Sequence, residues 1–153
     1  MTRPEIPIVL RPMAETDRAF VVNSWLLSFA TPQRCGSCRA EYPRTLRKAT
    51  YYEEYHALVS QLLERAVVTV ACDVEHADQI YGWLCVEPRS RANVVHYAFV
   101  KQPFRALGVL RRLVASLPAA DGLVYTFHSR AATTLAPKLG AQYNPFLALR
   151  RSR

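Results

Sequence analysis

The sequence predicts an α/β (α+β) domain built on a mixed central sheet with helices on both faces. Three observations lead there. Segments of strand-like and helix-like hydrophobic period follow one another in the order β-α-α-β-β-β-α-β-α-β. The chain has 153 residues, enough for one domain with a real core and too few for two ordinary ones, so residues 1–153 are read as a single domain. Half of the residues are hydrophobic and 21% are charged, a globular rather than a disordered balance.

The elements follow in order. Ile6 to Met13 reads as a short strand among Pro4, Pro7 and Pro12, since proline tolerates strand starts and edges. Glu15-Thr16-Asp17 supplies cap and first-turn residues for a helix reaching about Phe29, with Val22, Trp25, Leu26 and Phe29 on one face. Thr31 to Pro43 is a polar loop. A second helix, from about Leu46 to Arg65, carries Tyr55, Leu58, Val59, Leu62 and Leu63 at core spacing. Val67 to Cys72 and Ile80 to Glu87 are β-rich runs flanking the polar stretch Asp73 to Gln79, a hairpin-like pair.

The stretch Val94 to Leu117 organises the rest. Val94 to Val100 is β-branched and aromatic, a buried strand. Pro103 breaks that pattern. From Gly108 onward, Val109, Leu110, Leu113, Val114 and Leu117 recur at helical spacing. The loop Arg105-Ala106-Leu107-Gly108 would then present backbone N–H groups at a helix start beside an arginine, which suits a phosphate. Leu123 to His128 is a fifth strand, Arg130 to Leu139 a helix capped by Gly140, and Gln142 to Leu149 a last strand weakened by Pro145.

The formal net charge is +8, and all but three of the twenty basic residues are arginine. Arginine's planar fork favours phosphates and carboxylates, so an anionic ligand is expected. Nucleic acid stays open as a partner but is not favoured, because the basic residues are scattered and no nucleic-acid motif occurs. No leader pattern and no apolar run of about 20 residues is seen, so a cytoplasmic protein without a membrane span is expected. Cys72 and Cys85 read as buried thiols. Cys35 and Cys38 form a lone CxxC without the further ligands that zinc requires, so no metal site is expected.

Taken together, the element order, the Arg105-Ala106-Leu107-Gly108-Val109-Leu110 loop after the fourth strand, the following Arg111-Arg112-Leu113, and the opening Leu10-Arg11-Pro12 with Asp17 resemble the GNAT superfamily of acyl-CoA-dependent N-acyltransferases. That family's loop reads Gln/Arg-x-x-Gly-x-Gly/Ala. The resemblance implies a mostly antiparallel sheet and transfer of an acyl group, acetyl from acetyl-CoA in the usual case, to an amine by direct attack. It implies that the amides of Ala106, Leu107, Gly108, Val109 and Leu110, with Arg105, hold the CoA pyrophosphate, and that Arg111 or Arg112 reaches a CoA phosphate. Phe99, Val100 and Lys101 would offer main-chain groups to the pantetheine arm, an N–H there polarising the thioester carbonyl.

Two departures from the family pattern stand out. Leu110 replaces the small residue of the loop, and Leu135-Ala136-Pro137-Lys138-Leu139-Gly140 lacks the tyrosine that often serves there as general acid. Thiolate protonation would fall to Ser129, Thr133, Thr134, Tyr143 or water. A catalytically inactive GNAT-fold binding or assembly protein is therefore the alternative. His96, in the fourth strand, is the first candidate for a base that collects the amine proton, and Glu87 its rival. The plainer reading makes His96 a hydrogen-bonded core residue and Glu87 a solvated strand end. Glu53, Glu54 and His56 lie where the acceptor would be gripped or simply on an amphipathic face. The acceptor itself, and the choice between monomer and homodimer, are left open by the sequence.

Overall fold

The computed structural model describes residues 5–30 and 46–149. The loop with Cys35 and Cys38, and the arginine tail from residue 150, lie outside the described residues. Six strands form one sheet in sequential order: β1 (Ile8–Pro12), β2 (Val67–Asp73), β3 (Ile80–Pro88), β4 (Ala92–Val100), β5 (Gly122–Tyr125) and β6 (Gln142–Tyr143). The pairs from β1 to β4 are antiparallel, whereas β4–β5 and β5–β6 are parallel. Parallel neighbours need crossovers, and α3 (Val109–Ala115) and α4 (Arg130–Leu139) provide them. Helices α1 (Arg18–Ala30) and α2 (Lys48–Arg65) precede the β2–β3–β4 meander. No described helix is long and apolar enough to cross a membrane.

The sheet separates two cores. On one face α1 and α2 close over Trp83, Cys85 and Tyr97, with Trp25 at the centre, stacked 5.0 Å from the Tyr97 ring. The indoles and phenols buried there have partners: Trp25 Nε1 donates to Tyr55 at 2.7 Å and Trp83 Nε1 to Ser24 at 2.9 Å. That satisfaction lets polar-tipped aromatics replace aliphatics in a core. On the other face Val109 and Leu113 of α3 pack on Ile8, Ala71, Tyr81 and Leu84. At the edge, Arg11 of β1 grips Asp17, whose carboxylate also accepts the Ala14 N–H, so the chain turns from β1 into α1 through an ion pair.

Three expectations need correction. The predicted last strand ends after two residues, and α5 (Phe146–Leu149) follows it. Asn144 explains the switch: its side chain accepts the Phe146 N–H at 3.2 Å, and Pro145 has no N–H to continue a ladder. Helix α3 is seven residues long, shorter than the apolar spacing through Leu117 suggests, because Ser116 and Leu117 tighten into a turn on Leu113 and Val114 carbonyls. Glu87 is not a solvated strand end but is buried.

Gly82 controls how β3 and β4 meet. A Cβ placed there would lie 2.5 Å from the Phe99 carbonyl oxygen and 3.2 Å from the Val100 Cα, both backbone atoms that cannot swing aside. Gly82→Ala should therefore cost about 1–3 kcal/mol, as overpacking does. Urea unfolding of the variant checks this, and an unchanged midpoint would contradict the close approach.

Candidate functional site

A break in strand register creates the site. Cys85 pairs with Tyr97 and Val86 with Val95, so two residues of β3 face three of β4, and His96 is the extra one. Such a bulge bends its strand and shifts the facing of everything beyond it. Here the β4–β5 pairing ends at Val95 and Tyr125, with one further bond from Thr126 N–H to the Val95 carbonyl. Past that point the strands part.

Side chains lock the parting. His96 Nε2 lies 3.0 Å from Glu87 Oε2, and its Nδ1 lies 2.9 Å from Thr126 Oγ1. An ionised carboxylate only accepts, so Nε2 carries the proton and Nδ1 accepts from the threonine hydroxyl. Arg65 Nε reaches Glu87 Oε2 at 3.2 Å and Arg89 Nη2 reaches Oε1 at 3.0 Å. Arg65 Nη2 also donates to the Leu147 and Ala148 carbonyls of α5, at 2.9 Å each. Burial opposes ionisation of Glu87, but the His96 hydrogen bond and the Arg89 and Arg65 charges outweigh it and hold the carboxyl below its usual range. Burial holds His96 below its own range against the pull of Glu87, so the ring is neutral. Both ring nitrogens and both carboxylate oxygens have partners.

The parted strands open onto a cleft of about 560 Å³ between β4, the loop after it and α4. Of the binding residues expected from sequence, Phe99, Val100, Arg105, Ala106, Gly108, Val109, Leu110 and Arg111 line it. Leu107 and Lys101 do not. The Lys101 ammonium lies over the Phe20 ring at 4.9 Å, and its N–H donates to the Tyr81 carbonyl at 2.9 Å. That bond also corrects the expectation for Phe99. Antiparallel residues turn both main-chain groups alternately toward and away from the partner. With Lys101 bonded to β3, Phe99 faces β3 as well, and Ala98 and Val100 face the cleft. The Val100 carbonyl agrees, since it accepts Arg105 Nε at 3.1 Å on that side.

The loop at the mouth holds two left-handed residues, Gly108 at φ 84° and Ala106 at φ 64°. The alanine costs about 1 kcal/mol in that region, strain of the kind that collects at ligand loops. Arg105 and Arg111 make this end of the cleft basic, and Lys138 of α4 also lines the cleft. Leu110, in the first turn of α3, forms part of the wall beside Leu135. Back along β4 from Val100 lie Tyr97 and its partner Ser28, whose hydroxyl oxygens are 2.7 Å apart, and Ser129 and Thr134 also line the cleft. Burial pushes the Tyr97 phenol up to about 12, so it stays protonated at neutral pH. Ser129 caps α4 through its bond from the Ala132 N–H.

Neither His96 nor Glu87 lines the cleft, and no carboxylate or imidazole is among the described residues that do. Tyr143 stacks on His128, 3.7 Å between centroids, outside the cleft. Sequence reasoning missed Ala98, Tyr97 and Ser28. No signal marked them, because a bulge has no sequence signature here and Ser28 reaches the site only by packing of α1.

No protein-family model and no curated protein matches this sequence. Solved structures do. A histone acetyltransferase HPA2 and related acetyltransferase from Corynebacterium glutamicum is 16% identical, with 88% of this chain and 84% of that one covered and a TM-score of 0.59. A GCN5-related N-acetyltransferase from Rhodopseudomonas palustris is 14% identical over 76% of this chain and 66% of that one, at a TM-score of 0.51. A GNAT family N-acetyltransferase (YhbS) from Escherichia coli, solved with CoA, is 18% identical over 75% of this chain, at a TM-score of 0.48; this chain spans only 56% of that protein's length. The chain has the GNAT fold.

The buried network sets a pH dependence. Unfolded, His96 takes up a proton below about pH 6.5 and Glu87 below about pH 4.3. Folded, both resist protonation, since both are held below those values. The unfolded state thus binds more protons, and stability falls as the pH drops through 6.5 and again through 4.3. His96→Gln should flatten the upper limb. Urea unfolding at pH 7.5 and pH 5.5 measures it, and parallel losses in wild type and variant would show that His96 is not held neutral.

Proposed function

We propose that this protein is an acyl-CoA-dependent N-acyltransferase that moves the acyl group to an amine by direct attack, acetyl-CoA being its smallest donor. One observation carries this reading: the bulge at His96 exposes the main-chain edge of Ala98 and Val100 to a cleft that is basic at the loop and hydroxyl-bearing back along β4. Coenzyme A is graded in the same way. Its pyrophosphate fits the Arg105–Gly108 loop with Arg111 and Lys138. Its uncharged amide arm fits an open strand edge, to which the Ala98 and Val100 main chain can bond as a missing strand would. Its thioester then falls near Tyr97 and Ser28.

In this reading the amine lone pair forms the C–N bond while a main-chain N–H of β4 steadies the charge growing on the carbonyl oxygen. The C–S bond breaks and sulfur leaves with the electron pair. Tyr97 gives its proton to the thiolate, and the surplus proton on nitrogen returns through Ser28 to the Tyr97 oxygen. Positioning of donor and acceptor supplies much of the acceleration. His96 and Glu87 hold β4 and β5 apart and take no proton from substrate.

A CoA-binding protein without catalysis is the second reading. The lack of a carboxylate or imidazole along the described cleft wall favours it. Thiol release from acetyl-CoA with pooled amines, followed beside calorimetric binding of CoA, separates the two: binding with no release under any amine supports the second.

Gly108→Glu tests the site itself. No heavy atom lies within 4 Å of a Cβ at Gly108, so the carboxylate has room and the main cost is the left-handed backbone, about 1 kcal/mol. The variant should fold and lose CoA binding by 100-fold or more, roughly the 3 kcal/mol of repulsion and lost pyrophosphate contacts. Unchanged affinity would refute the assigned pyrophosphate loop.

A further inference from the structure

Beside the main cleft, under α3 and α4, lies a second cavity of about 40 Å³. The two share Tyr97, Ala98, Leu110, Ser129, Ala131 and Leu135 as walls, so they lie side by side. Its remaining wall is hydrocarbon, Leu84, Val95, Val114, Leu117 and Leu123 among it, apart from the Tyr125 phenol and the His96 imidazole, whose two ring nitrogens already have partners. The cause is legible in composition. Ala98, Ala131, Ala132, Ala136 and Ala141 all border it, and five side chains cut to a methyl leave the space between α3, α4 and the sheet unfilled. Close packing is the norm in protein interiors, so an unfilled space beside a ligand cleft calls for an occupant. Size and polarity say which. A water needs roughly 10–15 Å³ and two or more polar partners, so about 40 Å³ of mostly apolar space suits a few methylene groups better than water.

Resting on the acyltransferase reading, we propose that this cavity receives the acyl chain of the thioester, so that the donor carries a short, unbranched aliphatic acyl group longer than acetyl. The thioester end of the main cleft is bounded by Tyr97, Ala98 and Ser129, which are also walls of the cavity. A chain leaving the carbonyl there would pass Ala98 and Leu135, which border both spaces. Ala136, buried on α4, borders the cavity alone and not the cleft, so it gauges chain length without touching the rest of the ligand.

Calorimetric titration of the full chain with CoA, acetyl-CoA, butyryl-CoA and octanoyl-CoA tests the proposal. Each buried methylene should tighten binding about fourfold, so butyryl-CoA should bind about 15-fold tighter than acetyl-CoA, and octanoyl-CoA should fall back because its chain outruns the space. Ala136→Leu fills the cavity; it should bind CoA as the wild type does, lose the butyryl advantage and melt no lower. Ala132→Val serves as the second filling variant should Ala136→Leu not fold. Equal affinity for acetyl-CoA and butyryl-CoA would overturn the proposal and leave the acyltransferase reading standing, as would a butyryl advantage that survives both fillings. Failure of CoA and all its esters to bind would overturn both.

Discussion

The bulge at His96 is the constraint on which the site depends. A strand paired on both edges has no main-chain groups to offer a ligand. By inserting one residue opposite Cys85 and Val86, β4 stays bonded to β3 throughout while its other edge leaves β5 after Val95. The half-turn of facing that results puts Ala98 and Val100 on the open edge. An unpaired edge is normally a liability in a β protein. Here α4 and the Arg105–Gly108 loop flank it, and the proposed function gives that edge an extended ligand to bond.

Such a parting must be held, because the strands would otherwise gain by pairing further. The hold is a buried chain of charge and hydrogen bonds from Arg65 through Glu87 and His96 to Thr126, joining α2, β3, β4 and the segment after β5. Arg65 extends it to the α5 carbonyls. A neutral imidazole between an ionised carboxylate and a hydroxyl satisfies every polar atom without burying a second unpaired charge. Removing any one member would leave its neighbours buried and unsatisfied, which costs more than the bond itself is worth. Two residues that, by type alone, look like an acid–base pair are here both buried and hydrogen-bonded.

On the opposite face, the aromatic cluster about Trp25 fixes where α1 sits. Trp25 stacks on Tyr97, and one turn later Ser28 meets the Tyr97 hydroxyl. The packing of one core thus places the hydroxyl pair in the wall of the cleft. Core and site share a residue, so their geometry is set together.

The order of elements was legible in the sequence because hydrophobic period is a local property: Val94 to Val100, the glycine loop and the apolar spacing after Gly108 each read correctly in isolation. Of the ten positions expected to meet a ligand, eight border one cleft. What the sequence could not carry was anything that depends on which residue faces which. A single inserted residue in β4 moved the open edge from Phe99 to Ala98, turned Lys101 onto Phe20, and left Tyr97 beside Ser28 across 69 positions of chain. Likewise His96 and Glu87 have the chemistry of a base in any sequence, and only burial with Arg65, Arg89 and Thr126 makes them a brace. Local propensity determined the elements of this protein. Register and burial, which are sums over distant neighbours, decided what those elements present to a ligand.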